Sequence, residues 1–284
     1  VMYRANDLSH VLDNAGVSAV VTSAEGRPHL EAIDHPYHII DVADIERWAA
    51  QAPGDDAFAD VPLTEDDLAM IVYTSGTTGR SKGAMLTHGN IAANAASLTS
   101  AWRWTPDDTL LIALPLFHIH GLIAGLSTSL AVGGSIIIHA RFEASTVLDA
   151  MERERVTMFF GVPTMYVRLL EALGDRTPPR LRLFVSGSAA LAPDVFEAFR
   201  DRFGSYILER LGSTECGFVV GNRFGGPRVP GSVGVPLPGT RAQIIAPDTC
   251  AAVAPGDVGE LCVSGPTVFP GYWNNPQATS EATI

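Results

Sequence analysis

Thr74-Ser75-Gly76-Thr77-Thr78-Gly79-Arg80-Ser81-Lys82-Gly83 gathers glycines, hydroxyls and one lysine into a single short run. Glycine lets backbone N–H groups turn toward an anion, hydroxyls add donors, and lysine adds a full charge. The run follows an apolar stretch, Leu68 to Tyr73, that reads as a buried strand. Soon after it, Thr87-His88-Gly89-Asn90 reads as a helix start, so helix-end donors lie close by in the chain. This is the composition of a loop that holds phosphates. It is not a Walker A loop, because Ser81 stands where that motif needs a glycine before the lysine. Its glycine spacing also fails the dinucleotide fingerprint. A flexible surface turn is the plain alternative, and the order and density of the groups favour phosphate over it.

Three further segments carry groups that could do chemistry. Ser186-Gly187-Ser188-Ala189-Ala190 follows a strand-like run, Leu181 to Val185. Small residues at the C-terminal end of a strand let a flat ring lie against the backbone, although a tight turn into a helix at Pro193 needs the same residues. Glu209-Arg210-Leu211-Gly212-Ser213-Thr214-Glu215 follows a short strand. A carboxylate there suits magnesium, which prefers oxygen ligands, and a helix cap is the competing role for Glu215. His118 and His120 stand two apart, with no third ligand at a useful spacing for a metal. For His120, satisfying loop carbonyls is the structural alternative.

The run from Tyr73 to His88 resembles the phosphate-loop signature of the adenylate-forming superfamily. That superfamily includes acyl-CoA synthetases, luciferases and the adenylation domains of nonribosomal peptide synthetases. Later segments agree, in the family's order. Pro115-Leu116-Phe117-His118-Ile119-His120-Gly121 resembles its acyl-pocket segment, and Glu209 to Glu215 its adenine and magnesium segment. Gly259 to Gly265, followed by Gly271-Tyr272-Trp273, resembles its structural segment after the nucleotide site.

The resemblance implies a role for each matched residue. Thr74, Ser75, Gly76, Thr77, Thr78, Gly79 and Lys82 would hold the β- and γ-phosphates of ATP. Gly187, Ser188 and Ala189 would meet the adenine, with Glu209, Arg210, Leu211, Gly212, Ser213 and Thr214 completing the nucleotide segment. Thr214 would touch the α-phosphate, and Glu215 and Thr74 would bind Mg2+. Lys82, Thr214, Glu215 and His118 are the candidate catalytic residues, His118 lining the acyl pocket. The implied reaction joins a carboxylic acid to AMP and then passes the acyl group to coenzyme A. A relative that binds nucleotide without catalysis is the alternative class. The chain departs from the pattern at Leu211, where an aromatic usually stacks on adenine, and at Ser213, where methionine is common.

PLFHIHGL, FGVPTMY and SGSAAL look most like malonyl-CoA synthetases and their nearest relatives. Malonate needs a cation for its second carboxylate. In that subgroup an arginine follows the SGSAxL segment by about two and a half helical turns. Here Glu197 and Ala198 fall at that distance, and Arg200 lies one helical face away. On these residues a monocarboxylate is expected over malonate. Amino acids are less expected, because His118 follows Phe117 where the peptide-synthetase pattern places an aspartate.

These segments must be positioned by the elements between them. Helices are expected over Asp7–Ala15, Ile91–Trp104, Ala144–Glu154, Thr164–Leu173 and Pro193–Phe203. Strands are expected over Val17–Thr22, Leu110–Leu114, Ser135–His139, Thr157–Phe160, Leu181–Val185 and Tyr206–Leu208. Strand and helix alternate, which predicts an α/β fold with a mostly parallel sheet covered on both faces. From about Arg228, prolines and glycines punctuate two short β-rich runs, Arg241 to Ile245 and Gly259 to Val263, and a small antiparallel β subdomain is expected. The expected domains are therefore 1–227, an α/β nucleotide- and acyl-binding core, and 228–284, the β-rich subdomain. Both ends stop mid-pattern for the family. Its ribose-binding aspartate, hinge and late lysine would lie beyond Ile284 in a lid domain, and without that lid the chain alone is expected to be catalytically impaired.

The bulk numbers set limits. With 284 residues, 46% of them hydrophobic, the chain can bury a large core. A net charge of −12 argues against nucleic-acid partners and broad binding to anionic membranes. Any phosphate ligand must then be held by local geometry and a divalent cation. No apolar run reaches the ~18 residues of a membrane span, so no stable membrane insertion is expected. Cys216, Cys250 and Cys262 are too few and too irregular for a disulfide scaffold or zinc site, and a reducing cytoplasm fits.

Overall fold

The computed structural model describes residues 5–33, 36–51, 61–74 and 80–284. Contacts divide the chain into two units, Val1–Leu86 with Pro270–Ile284, and Thr87–Phe269. That cut follows spatial contacts, whereas the boundary at 227/228 follows composition.

In the first unit, helix α1 (Ala5–Ala15) precedes strand β1 (Ala19–Thr22), α2 (Arg27–Glu31), β2 (His38–Asp41) and α3 (Val42–Gln51). β1 and β2 pair in parallel, Ala19 with His38 through Thr22 with Asp41. β3 (Leu68–Thr74) and β4 (Lys82–Thr87) form a second two-stranded sheet. β4 was not expected. The sequence reads there as loop and helix start, because Gly83 and Thr87 interrupt a short apolar run.

The second unit opens with α4 (His88–Trp102), which Thr87 and Asn90 close with a reciprocal capping box. β5 (Thr109–Ile112) follows, then an unexpected π-helical segment (His120–Ser127), α5 (Thr128–Val132), β6 (Ser135–Ile138) and α6 (Ala144–Arg153). Next come β7 (Met158–Gly161), α7 (Pro163–Leu173), β8 (Leu183–Ser186) and α8 (Pro193–Phe203). β9 (Ile207–Ser213), β10 (Gly217–Gly221), β11 (Val235–Pro236), β12 (Arg241–Ile245) and β13 (Glu260–Ser264) complete the unit. One seven-stranded sheet runs in the order β11-β10-β9-β8-β7-β5-β6. It is parallel from β9 to β6, with β10 and β11 added antiparallel. β12 and β13 pair antiparallel, Arg241 with Ser264 through Ile245 with Glu260. The fold is thus α/β with a mostly parallel sheet flanked by helices and a small antiparallel addition. Helix α9 (Pro276–Ala282) ends the chain in the first unit.

Period-two alternation assigns the two faces of the main sheet. Leu111, Phe159, Phe184 and Ile207 meet Leu148, Leu169, Phe196 and Phe199 from α6, α7 and α8 in one buried cluster. On the other face, Trp102 and Trp104 set their edges on Phe160 with ring centroids 5.5 and 5.8 Å apart. Each fully buried Leu or Phe contributes roughly 1.5–3 kcal/mol relative to exposure.

The N-terminal ends of the parallel strands are tied by one ion pair. Arg182 grips Asp108 as a fork, Nε to Oδ1 at 2.6 Å and Nη2 to Oδ2 at 2.5 Å. Thr157 Oγ1 and the Thr105 N–H also donate to that carboxylate, each at 2.8 Å. Asp108 is only 3% exposed. Burial pushes its carboxyl up, but the donors from Arg182, Thr105 and Thr157 together hold it below the usual range. A carboxyl lowered in the folded state contributes stability above its unfolded pKa, and that contribution is lost as pH falls through the folded value. Asp108→Asn should therefore cost about 3–5 kcal/mol, as for a broken buried pair, and flatten the acid limb of a stability–pH curve below about pH 4. Urea unfolding at pH 7 and pH 3 checks both, and an unchanged acid limb would remove Asp108 from the account.

Candidate functional site

In the first unit, Ser75 to Gly79 of the expected phosphate loop lie outside the described residues, but both flanks are defined. The Thr74 hydroxyl donates to the Lys82 carbonyl at 3.5 Å, so the two ends of the loop are tied across β3 and β4. The downstream flank is held from two sides. A His10 ring nitrogen donates to the Ser81 carbonyl at 2.9 Å. The Met85 N–H donates to Gly271 O at 3.0 Å, and the Trp273 N–H to Gly83 O at 2.7 Å. Asn14 on α1 accepts from Tyr73 through its side chain at 2.7 Å and from the Trp273 indole through its backbone at 3.0 Å. The Lys82 Nζ stands 4.5 Å from the Tyr272 ring centroid. Lys82 therefore has an aromatic neighbour that its sequence surroundings do not reveal.

In the second unit, β9 does not stop at Leu208 but continues to Ser213 and turns into β10. Thr214 and Glu215 occupy that turn, partly buried. No helix follows Glu215, so the helix-cap role does not apply to it. Three interactions set the turn. The Phe269 N–H donates to the Glu215 carbonyl at 2.8 Å, and the Cys216 N–H to Ser213 O at 3.3 Å. The side chain of Asn94 accepts the Phe218 N–H at 2.9 Å. Gly217 has φ +65°, and a Cβ there would stand 2.4 Å from the Asn94 amide, so only glycine fits.

Gly187, Ser188 and Ala189 come together at the carboxyl end of β8, the position at which open α/β sheets take ligands. Ser188 adopts φ +70°, a left-handed conformation that costs a non-glycine residue about 1–3 kcal/mol and collects at functional sites. Glu209 is buried. Its side chain accepts the Gly231 N–H at 3.3 Å, and burial raises its carboxyl. Leu211 is 38% exposed and offers an apolar surface. Arg210 is 5% exposed, with its Cζ 4.5 Å from the Phe218 ring centroid. A Cβ at Gly187 would fall 2.4 Å from that Cζ.

The two histidines part company. His118 is exposed beside the Phe117 ring, and His120 is 3% exposed with neither ring nitrogen hydrogen-bonded. The carbonyl-satisfying role expected for His120 is therefore not what the geometry gives it. Arg200 is taken by Asp201 at 2.8 Å on the surface. The resemblance places Arg210 in the nucleotide segment, and its burial against Phe218 is what the residue types of Ile207 to Leu211 do not announce.

A mostly parallel sheet flanked by helices, with small residues after β8 and a carboxylate in the turn after β9, makes this an α/β protein with polar groups at its strand ends. The family model described as AMP-binding enzyme matches residues 1–273, and the chain belongs to that family. It is 40% identical to the mitochondrial malonate–CoA ligase of Mus musculus over 248 residues, 75% of this chain and 42% of that one. It is 37% identical to a feruloyl-CoA synthase of an Amycolatopsis species over 279 residues, 97% of this chain and 55% of that one. The ATP-bound crystal structure of MatB from Rhodopseudomonas palustris superimposes with TM-score 0.91 at 40% identity, covering 99% of this chain and 57% of that one. The chain thus spans about half the length of the curated relatives it matches. Among the described residues no helix is long and apolar enough to cross a membrane.

Proposed function

We propose that the natural full-length protein is an AMP-forming acid–thiol ligase. It activates a carboxylic acid with ATP and transfers the acyl group to coenzyme A. The observation that carries this reading is the family match over 1–273 with Lys82, Thr214 and Glu215 all intact. Relatives named as malonate–CoA and feruloyl-CoA ligases support the reaction class and leave the acid open.

In the first step a carboxylate oxygen attacks the α-phosphorus, the bond to pyrophosphate breaks, and an acyl-adenylate forms. In the second, the coenzyme A thiolate attacks the acyl carbon and AMP leaves with the electron pair. Lys82 and the loop Thr74 to Gly79 are proposed to hold the β- and γ-phosphates, where a cation offsets charge building on the leaving group. The Thr214 hydroxyl is proposed to donate to the α-phosphate. Gly187, Ser188 and Ala189, with Glu209 to Ser213, are proposed to form the adenine segment, and His118 to stand by the reacting carboxylate. Magnesium, when bound, would neutralise phosphate charge in transit. Among the described residues no three His, Cys, Asp or Glu side chains gather to hold a metal. The Glu215 carboxylate fits as one oxygen ligand, with phosphate oxygens and water supplying the rest, as is usual for this ion. Thr74 is retained as a second ligand on the family resemblance alone. The domain division at 227/228 belongs to the same proposal, since every proposed ligand residue precedes it. A reducing cytoplasm suits three free cysteines.

Acid-dependent ATP–pyrophosphate exchange tests the whole reading. The full-length protein should exchange label only when a carboxylic acid is present, and silence across a broad acid panel would leave only a nucleotide-binding relative.

Lys82→Ala should lower the rate of adenylation by roughly 10- to 100-fold, the worth of a charge-assisted contact of ~1.5–3 kcal/mol. Its contact with the Tyr272 ring is half-buried and worth about 0.5–2 kcal/mol, so the melting temperature should move by no more than a few degrees. A large fall in melting temperature with activity per folded molecule intact would make Lys82 a structural residue.

Glu215→Gln keeps size and hydrogen-bonding capacity but removes the charge a hard cation needs. It should weaken binding of Mg-ATP while leaving magnesium-free ATP binding near its starting value. Equal Mg-ATP affinity in the two proteins would remove Glu215 from the metal site.

A further inference from the structure

We propose that His10 and Asn14, one turn apart on helix α1, are positioning residues for the phosphate-holding groups Thr74 and Lys82. This rests on the ligase reading above and names the side chains that fix those two residues in place.

Residues four apart on a helix share one face, and here that face carries His10 and Asn14, both half-buried. The two side chains reach opposite flanks of one loop. Asn14 Oδ1 accepts from the Tyr73 hydroxyl at 2.7 Å, one residue before Thr74. His10 Nε2 donates to the Ser81 carbonyl at 2.9 Å, one residue before Lys82. The partners stand 59 and 71 residues away in the chain, so neither bond belongs to a local turn. The direct tie between the loop's ends is weaker, since Thr74 Oγ1 meets the Lys82 carbonyl only at 3.5 Å. Helix α1 also acts on the far side of Lys82. The Asn14 carbonyl accepts from the Trp273 indole at 3.0 Å and from Asn274 Nδ2 at 3.3 Å. The Trp273 N–H in turn donates to Gly83 O at 2.7 Å. Lys82 is thus bracketed by Ser81, held directly from α1, and Gly83, held through Trp273. Leu12, 5% exposed, seats the helix by its apolar side.

A phosphate site must aim several donors and an ammonium at one anion. Ordering a chain segment costs conformational entropy, and the cost is largest where glycines are frequent. A segment whose ends are already fixed loses less freedom when the ligand arrives, and so binds it more tightly. Outer hydrogen bonds that lock the residues of a site serve this purpose. A purely structural role for the same two bonds would change the stability of the protein and leave the folded protein's affinity for ATP as it was. A positioning role changes that affinity and spares the affinity for the acid.

The test uses the full-length protein and its His10→Phe, His10→Gln and Asn14→Leu variants. Calorimetry gives the Kd of Mg-ATP, and ATP–pyrophosphate exchange gives KM for ATP and for the acid. His10→Phe and Asn14→Leu should each weaken Mg-ATP binding by about 2- to 10-fold, the worth of one hydrogen bond. KM for ATP should rise by the same factor, with KM for the acid unchanged. His10→Gln keeps an N–H donor and should restore most of the affinity. A lower melting temperature with unchanged Mg-ATP affinity overturns the proposal, as does an equal loss in His10→Gln and His10→Phe. If His10→Phe or Asn14→Leu does not fold, Tyr73→Phe, which removes only the hydroxyl, decides, and unchanged Mg-ATP affinity in it rejects the role. If no acid supports exchange, the ligase reading fails by itself, and the calorimetric comparison still judges His10 and Asn14. A wild-type protein that does not bind Mg-ATP ends both.

Discussion

The placing of Thr214 and Glu215 depends on one buried amide. Asn94 accepts the Phe218 N–H with its oxygen and donates to the Asn90 carbonyl with its nitrogen, so its amide orientation is fixed from both ends. Asn90 caps α4 through Thr87 and sends its own amide nitrogen to the carbonyls of Pro266 and Val268. One residue further on, the Phe269 N–H reaches back to the Glu215 carbonyl. Helix start, β9–β10 turn and the segment after β13 are therefore one hydrogen-bonded assembly. Buried amides with every group paired specify a single arrangement, because any shift leaves a desolvated donor or acceptor unmade. Gly217 belongs to this assembly as a shape, since any side chain there would occupy the space of the Asn94 amide.

The second unit handles buried charge in two opposite ways. Arg182 and Asp108 satisfy each other at the N-terminal ends of the strands, with Thr105 and Thr157 filling the remaining lone pairs. That end is closed chemically and has nothing to offer a ligand. Toward the carboxyl ends, Arg210 and His120 are buried without partners, Ser188 is held in a left-handed conformation, and Phe117 and Leu211 are exposed. Unsatisfied polar atoms, backbone strain and exposed apolar surface are features a fold removes where it can. Those at the carboxyl ends lie where parallel sheets bind ligands.

Much of the fold was legible because local and tertiary signals agree. Helix α8 begins at Pro193 and stops at Gly204 in the left-handed region, a start and stop written in the residues themselves. β12 and β13 lie within about one residue of their expected bounds because alternation and flanking turns coincide. What was not legible depends on distant partners. β4 is a strand because β3 and Gly271–Trp273 supply its hydrogen bonds, and no local pattern announces that. β9 runs on through Glu209 and Arg210 because β8 and β10 flank it, although its polar residues read locally as a turn. The motif residues were singled out by their types and order. The isolation of Arg210 was invisible, because a charge in a sequence does not reveal whether an opposite charge will face it.

The family fold leaves the acid undecided, and relatives at similar identity to this chain are named for malonate and for ferulate. The difference must then reside in a few side chains on a shared scaffold. In this chain the candidates are concrete. Gly187 gives up its side chain to the guanidinium of Arg210, and His120 begins a π-helical segment, a local widening of the helix of a kind that recurs at functional sites. A buried polar group left unpaired penalises the wrong ligand more strongly than a missing apolar contact does. Selectivity on a shared scaffold thus comes from which of its few buried polar groups a bound acid leaves unpaired.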